Sequence, residues 1–263
     1  MSDEVSAVQQ SIQTAQAQAP PVEKKGFFSQ ERIEKYIYIA KFSALAVLFG
    51  LLEILYQFYF LTEQNLQFSL VRGFALSGAT LLCFALIIGP LVRLQPKLNF
   101  IAHRRMVGIW GFLFIFMHFN TVVNFYFLGN PAGIFLVLDP FQNPLIWGLL
   151  AYFIYLLLFL TSNDLLQYRI LKYKNWQNLH RLGYLAFIFS VIHYLVINPS
   201  ILNNFAAYLL LLATLIAIVL QIAVFFKTIK KKNFKTLATI VGLILILFGL
   251  ALFYLAIVPA YFH

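Results

Sequence analysis

The stretches HRRMVGIWGFLFIFMHF (residues 103–119) and LHRLGYLAFIFSVIHY (179–194) decide the fold. Each is an apolar run fit to enter a bilayer as a helix. Each begins beside basic residues, with one histidine at its edge and another deep inside: His103 and His118 in the first, His180 and His193 in the second. Charged or ionisable side chains at that depth are costly and survive where they face the interior of a helical bundle.

The whole chain carries the same signature. Of its 263 residues, 62% are hydrophobic and 11% charged, too little polar surface to cover a water-soluble globule. At roughly 20 residues per span, the apolar runs give seven candidate transmembrane helices: 36–60, 70–92, 105–127, 144–163, 181–197, 202–226 and 236–258. Turn-forming pairs punctuate them, with Gly89-Pro90 near the end of the second, Asn130-Pro131 and Asn143-Pro144 bracketing a loop, and Asn198-Pro199 between the fifth and sixth. The fold class expected is therefore an all-α integral membrane protein, a bundle of about seven helices. Residues 1–30 are rich in Ala, Gln and Pro at their start and lack an apolar signal segment, so they are expected to form a disordered cytoplasmic tail.

Charge placement supports the span count. Lys24, Lys25, Arg32, Lys35 and Lys41 precede or begin the first span. Arg93, Lys97, Arg104 and Arg105 connect the second and third. Arg169, Lys172, Lys174 and Arg181 connect the fourth and fifth, and Lys227, Lys230, Lys231, Lys232 and Lys235 the sixth and seventh. If seven helices alternate, every positive residue but Arg72 falls on one side, which the positive-inside rule makes the cytoplasm. The N-terminus is then inside, the C-terminus outside, and the setting a cell inner membrane. The net charge of +10 comes from these short clusters and forms no stripe on a soluble domain, so no nucleic-acid partner is expected. Membrane lipid is the expected surround.

Cys83 is the single cysteine, which excludes an internal disulfide, a Cys-ligated zinc site and a four-Cys iron–sulfur cluster. Histidine carries the chemistry instead. The third and fifth spans run in the same direction, so their residues can be matched by depth. His118 and His193 lie 15 and 13 residues beyond His103 and His180, about 20 Å deeper at 1.5 Å per residue. Histidines facing one another across a bundle are most often held by a metal, above all heme iron. Two bis-imidazole layers follow, His118 with His193 and His103 with His180, able to hold one or two hemes b as a wire across the membrane.

The outer pair, His118 with His193, is the stronger. Thirteen residues make about 3.6 turns, which aims His180 and His193 apart, so that the helix must start late, bend or carry a π-bulge for both to ligate. Arg104 is better phased with His118 than His103 is, and it pairs a propionate more naturally than it ligates iron. His103 and His180 also fit an interfacial role, and His118 and His193 a hydrogen bond between helices. Arg72 fits either a propionate of the outer heme or lipid headgroups. Glu53 is a lone carboxyl in the first span, expected to face the bundle, either in helix packing or in proton or quinol chemistry.

These residues resemble the ferric-reductase-like transmembrane domain, and within it the MsrQ (YedZ) type, the heme-binding membrane subunit of the periplasmic methionine sulfoxide reductase system. The stretches that carry the resemblance are IIGPLVRL (87–94), RRMVGIWGFLFIFMH (104–118), LLLFLTSND (156–164) and NWQNLHRLGYLAFIFSVIHY (175–194), together about half the chain. The resemblance implies a six-helix core over 36–226, with 227–263 an added basic loop and C-terminal helix. It puts His118, His180 and His193 in heme-iron ligand places. It implies a b-type cytochrome that passes electrons from a cytoplasmic flavin reductase or quinol to an exterior redox partner such as a methionine sulfoxide reductase, with FMN or quinone as further cofactors. His103 and the seventh helix depart from the family pattern. No G-x-G-x-x-G loop follows the membrane segment, so the electrons are expected from a separate donor. Two competing classes stand beside this one: a ferric or cupric reductase acting at the exterior heme, and a heme-free transporter or scaffold.

Overall fold

The computed structural model describes residues 30–97, 100–140, 142–163, 165–197 and 205–229. The chain divides into two units, Met1–Lys41 and Phe42–His263. The described part of the first is helical; the packing and the site below belong to the second. Among the described residues the protein is all helix, with no strand. The α-helices are α1 (Gln30–Phe60), α2 (Leu66–Leu94), α3 (Ile101–Tyr126), α4 (Leu145–Leu160), α5 (Lys172–His180), α6 (Leu182–Ile197) and α7 (Phe205–Ile229). A 3-10 turn, Pro131–Leu136, precedes α4, and a π-helical stretch, Leu165–Ile170, precedes α5.

Among the described residues four segments are long and apolar enough to cross a membrane: Ile33–Phe60, Leu66–Leu94, His103–Tyr126 and Asn175–Ile197; Leu145–Leu160 and Leu210–Val224 are shorter apolar helices. The expected fifth span, 181–197, is α6, and the apolar segment that contains it begins earlier, at Asn175 in α5. The sixth is α7, which continues through Lys227 to Ile229. The seventh, 236–258, and the N-terminal tail to residue 29 lie outside the described residues.

The bundle is built the way lipid demands, with large apolar side chains outward and small ones inward. On α1, Leu45, Leu48, Leu52 and Leu55 stand exposed, while Ala46, Gly50, Ile54 and Gln57 are buried. Glycines then set how closely the helices approach. A Cβ on Gly73 of α2 would come within 2.9 Å of the Ile54 Cα atom, so α1 and α2 touch backbone to side chain there. Between α2 and α3 the fit is reciprocal: Gly78 receives Ile115 and Gly111 receives Leu82, with would-be Cβ contacts of 2.8 Å each. Elsewhere α2 packs on α7 and α4 on α6. One core cluster joins Leu82, Phe112, Tyr152 and Ala186, with Phe112 stacked on Phe159 at 4.6 Å; another joins Cys83, Leu86, Phe187 and Leu210.

Local chemistry fixes the ends that matter for the site. Asn143 clamps the start of α4: its amide donates to the carbonyls of Ile134 and Val137, and its Oδ1 accepts from the Leu145 N–H. Pro144 follows as the cap, with its fixed φ suited to helix entry. Between α5 and α6 the chain turns at Arg181. There Arg181 N–H donates to Asn178 and Tyr184 N–H to Arg181, tighter bonds than an α-helix makes. The break lies between His180 and His193, so the two are not bound to one helical phase.

Candidate functional site

His118 on α3 and His193 on α6 meet ring to ring, their centroids 6.5 Å apart and their planes at 68°. Each ring is tied from behind by a backbone carbonyl. Nδ1 of His118 bonds the Val71 oxygen of α2 at 2.9 Å, and Nδ1 of His193 bonds the oxygen of Pro144, the cap of α4, at 3.0 Å. A carbonyl only accepts, so Nδ1 donates in both, and a neutral imidazole then keeps its lone pair on Nε2. Four helices thus hold two ligand-ready nitrogens.

Both histidines line a cavity of about 480 Å³, walled mainly by apolar side chains and including Gln57, Arg72, Tyr152 and Tyr194. Gly148 supplies one wall by lacking a side chain: a Cβ there would fall 2.8 Å from Cε1, 2.9 Å from Nδ1 and 3.0 Å from Nε2 of His193. The imidazole lies flat against the first turn of α4, spaced by Gly148 and oriented by Pro144.

The residues fit a heme. Two imidazoles bound to one metal from opposite sides, each at a metal–nitrogen distance of about 2 Å, stand with ring centres roughly 6 to 6.5 Å apart. Among the described residues no three His, Cys, Asp or Glu side chains gather to hold a bare ion. Two facing imidazoles in an apolar chamber would hold a group, such as a heme, that brings its remaining donor atoms with it.

The other sequence-predicted residues lie in two places. Arg72 is exposed at the rim of the same cavity. His180 ends α5 with its ring over Trp176 at 4.1 Å and its Nε2 3.4 Å from the Thr161 hydroxyl, while the Trp176 indole donates to the Thr161 carbonyl. His103 meets the edge of Phe100 near the start of α3. Arg104 donates from Nε to the Ala85 carbonyl at 3.1 Å and lays its guanidinium over Gly89, close enough to His180 and Tyr184 for its charge to reach both. Arg93 and Arg181 converge on the same tyrosine. The structure therefore brings together the outer pair and, at the other end, His180 with Arg104. Sequence reading missed Gly148, the two carbonyl acceptors and Gln57. Only Gly148 had a signal, a lone glycine inside an apolar helix.

The family described as ferric reductase like transmembrane component matches residues 72–191. The heme-binding subunit MsrQ of protein-methionine-sulfoxide reductase from Agrobacterium fabrum is 31% identical over 160 residues, which cover 58% of this chain and 71% of that protein. Its counterpart from Salmonella arizonae is 30% identical over 181 residues, 63% of this chain and 86% of the relative. This chain belongs to the MsrQ family of ferric-reductase-like membrane proteins. The family match takes in Arg72, His103, Arg104, His118 and His180 and ends at Val191, just before His193. His193 lies two residues beyond the matched segment, and Gly148 lies within it.

Proposed function

We propose that this chain is the heme-carrying membrane subunit of an electron-transfer system, with His118 and His193 as axial ligands of an outer heme b. The observation that carries the reading is the 6.5 Å approach of the two rings across an apolar cavity, each with Nδ1 committed to a carbonyl. A heme bound there supplies reversible one-electron chemistry. The chain's own residues do the rest. The Val71 and Pro144 carbonyls fix the tautomer and plane of each imidazole and raise its basicity toward a metal. Leu76, Ile115, Phe119 and Phe187 line the chamber and exclude water, and Arg72 at the rim is placed to neutralise a propionate.

The reading extends to the other end. His180 ligates a second, inner heme, with Arg104 as its propionate partner and His103 as a second imidazole near the membrane edge. The basic side is the cytoplasm, and the loop of residues 129–143 faces outward. A cytoplasmic flavin reductase or membrane quinol then delivers electrons, with FMN or quinone as the carrier. An exterior methionine sulfoxide reductase receives them, in keeping with relatives that are heme-binding subunits of such a reductase. The test is spectroscopic and needs both sides. Purified protein should show a Soret band and at least one heme per chain. Once reduced, it should reoxidise when a methionine sulfoxide reductase and its substrate are added. Rapid reoxidation by ferric or cupric ions with no partner protein would favour a metal reductase instead, and absence of heme would remove the reading.

A further inference from the structure

Glu53 and Gln57 share the inward stripe of α1 with Gly50 and Ile54, one turn apart. Gln57 is 1% exposed. Its Nε2 donates to Glu53 Oε1 at 2.8 Å, while its own Oε1 is buried with no hydrogen-bond partner. Gln57 also lines the cavity that holds His118 and His193. The Gln57 amide therefore grips a carboxyl, and the same residue walls the chamber that holds His118 and His193. Leaving a buried amide oxygen without a partner is unfavourable, a cost expected where the group serves a ligand or a water chain.

The groups around this pair narrow what it can do. Tyr194 of α6 lies within electrostatic reach of both Glu53 and Arg72 of α2, and Tyr126 of α3 within reach of Arg72. Glu63, exposed in the turn after α1, shares a separate surface pocket with Arg72. No Asp or Glu lines the cavity itself among the described residues. Gln57 does not titrate, and the tyrosines are far weaker acids than a carboxyl. Both histidines are committed through Nδ1. Among these side chains Glu53 is the group left to exchange a proton, and its substitution separates it from the propionates that a heme would bring.

We propose that Glu53 is a proton-binding site coupled to electron arrival at the His118–His193 centre, with Gln57 as the positioning residue that links them. The inference rests on the heme reading above. When the centre gains one electron, the Glu53 carboxylate takes one proton from water; when the electron leaves, that proton returns. The physical cause is charge: in a low-dielectric chamber an added negative charge raises the proton affinity of the nearest carboxylate, and a bound proton stabilises the electron in turn.

The test is the midpoint potential of the heme-loaded, full-length protein from about pH 5 to about pH 9, with infrared difference spectra on reduction. Wild type should show a potential that falls as pH rises and a carboxyl C=O band that appears on reduction. Glu53→Gln should hold the potential at its acid-side value across the range and lose the band. Glu53→Asp should keep the slope in a displaced window. Gln57→Leu should move the window to higher pH, because the carboxylate loses an N–H donor. Should Glu53→Gln fail to fold, the other two variants carry the test. A flat wild-type potential, or a slope and band unchanged in every variant that folds, overturns the proposal while leaving the heme reading intact. A wild-type protein without heme overturns both.

Discussion

The imidazole of His193 lies against the bare backbone of Gly148, where a single methyl group would sit 2.8 Å from its Cε1 atom. The Pro144 carbonyl that orients the same ring is one turn earlier on the same helix. The His193 imidazole on α6 is therefore aimed by α4. Gly148→Ala should push the ring off its carbonyl and weaken heme binding by about 10–100-fold, the usual scale for groups that orient a metal ligand. Heme titration of the purified variant checks this. Wild-type affinity in Gly148→Ala would mean that His193 does not ligate in the orientation described.

Close helix approach predicts a packing effect away from the site. Gly73→Val places branched carbons where Ile54 backbone atoms already stand, so α1 and α2 must separate. The expected cost is about 1–3 kcal/mol, read as a lower unfolding temperature in detergent. Because Glu53 and Gln57 flank Ile54 on α1, the same variant should alter the pH dependence of the potential. An unchanged unfolding temperature would deny the tight α1–α2 contact.

Charge placement predicts topology. A reporter in the 129–143 loop, or fused after His263, should be active only outside the cytoplasm, and one near Lys230 only inside. A cytoplasmic signal from the fusion after His263 would remove the seventh span or invert the assignment.

The end of the bundle near His180 predicts kinetics. Arg93, Arg104 and Arg181 gather there around Tyr184, a positive field that should steer acidic or phosphate-bearing donors and weaken with salt. His180→Ala should slow reduction from the cytoplasmic side and leave the outer heme spectrum intact. His103→Ala should be milder. Wild-type rates in His180→Ala would reduce the relay to one heme fed from within the membrane.

The legible part of this protein is the part that membrane physics makes expensive. His118 and His193 stood out because imidazoles deep in hydrocarbon need a partner, and they do meet. The 13-residue spacing of His180 and His193 demanded a late start, a bend or a π-bulge. The chain breaks at Arg181, between them, while the π-helical stretch comes earlier, at Leu165–Ile170. What stayed hidden is what composition cannot encode. Any residue presents a carbonyl, so nothing marked Val71 or Pro144 as acceptors. Gln57 looked like one more polar residue near a helix end, and its burial depends on which face of α1 turns inward. Glu53 was expected to face the bundle, and the inward stripe of α1 includes it.

The proposed sharing of one heme by His118 and His193 is tested most directly by the low-temperature electron paramagnetic resonance spectrum of oxidised wild type, His118→Ala and His193→Ala, with heme counted per chain. Wild type should give a low-spin, six-coordinate signal. Each variant should lose that signal, through loss of the heme or conversion to high spin, and added imidazole should restore it where heme is retained. Wild-type heme content and an unchanged low-spin signal in both variants would contradict the account.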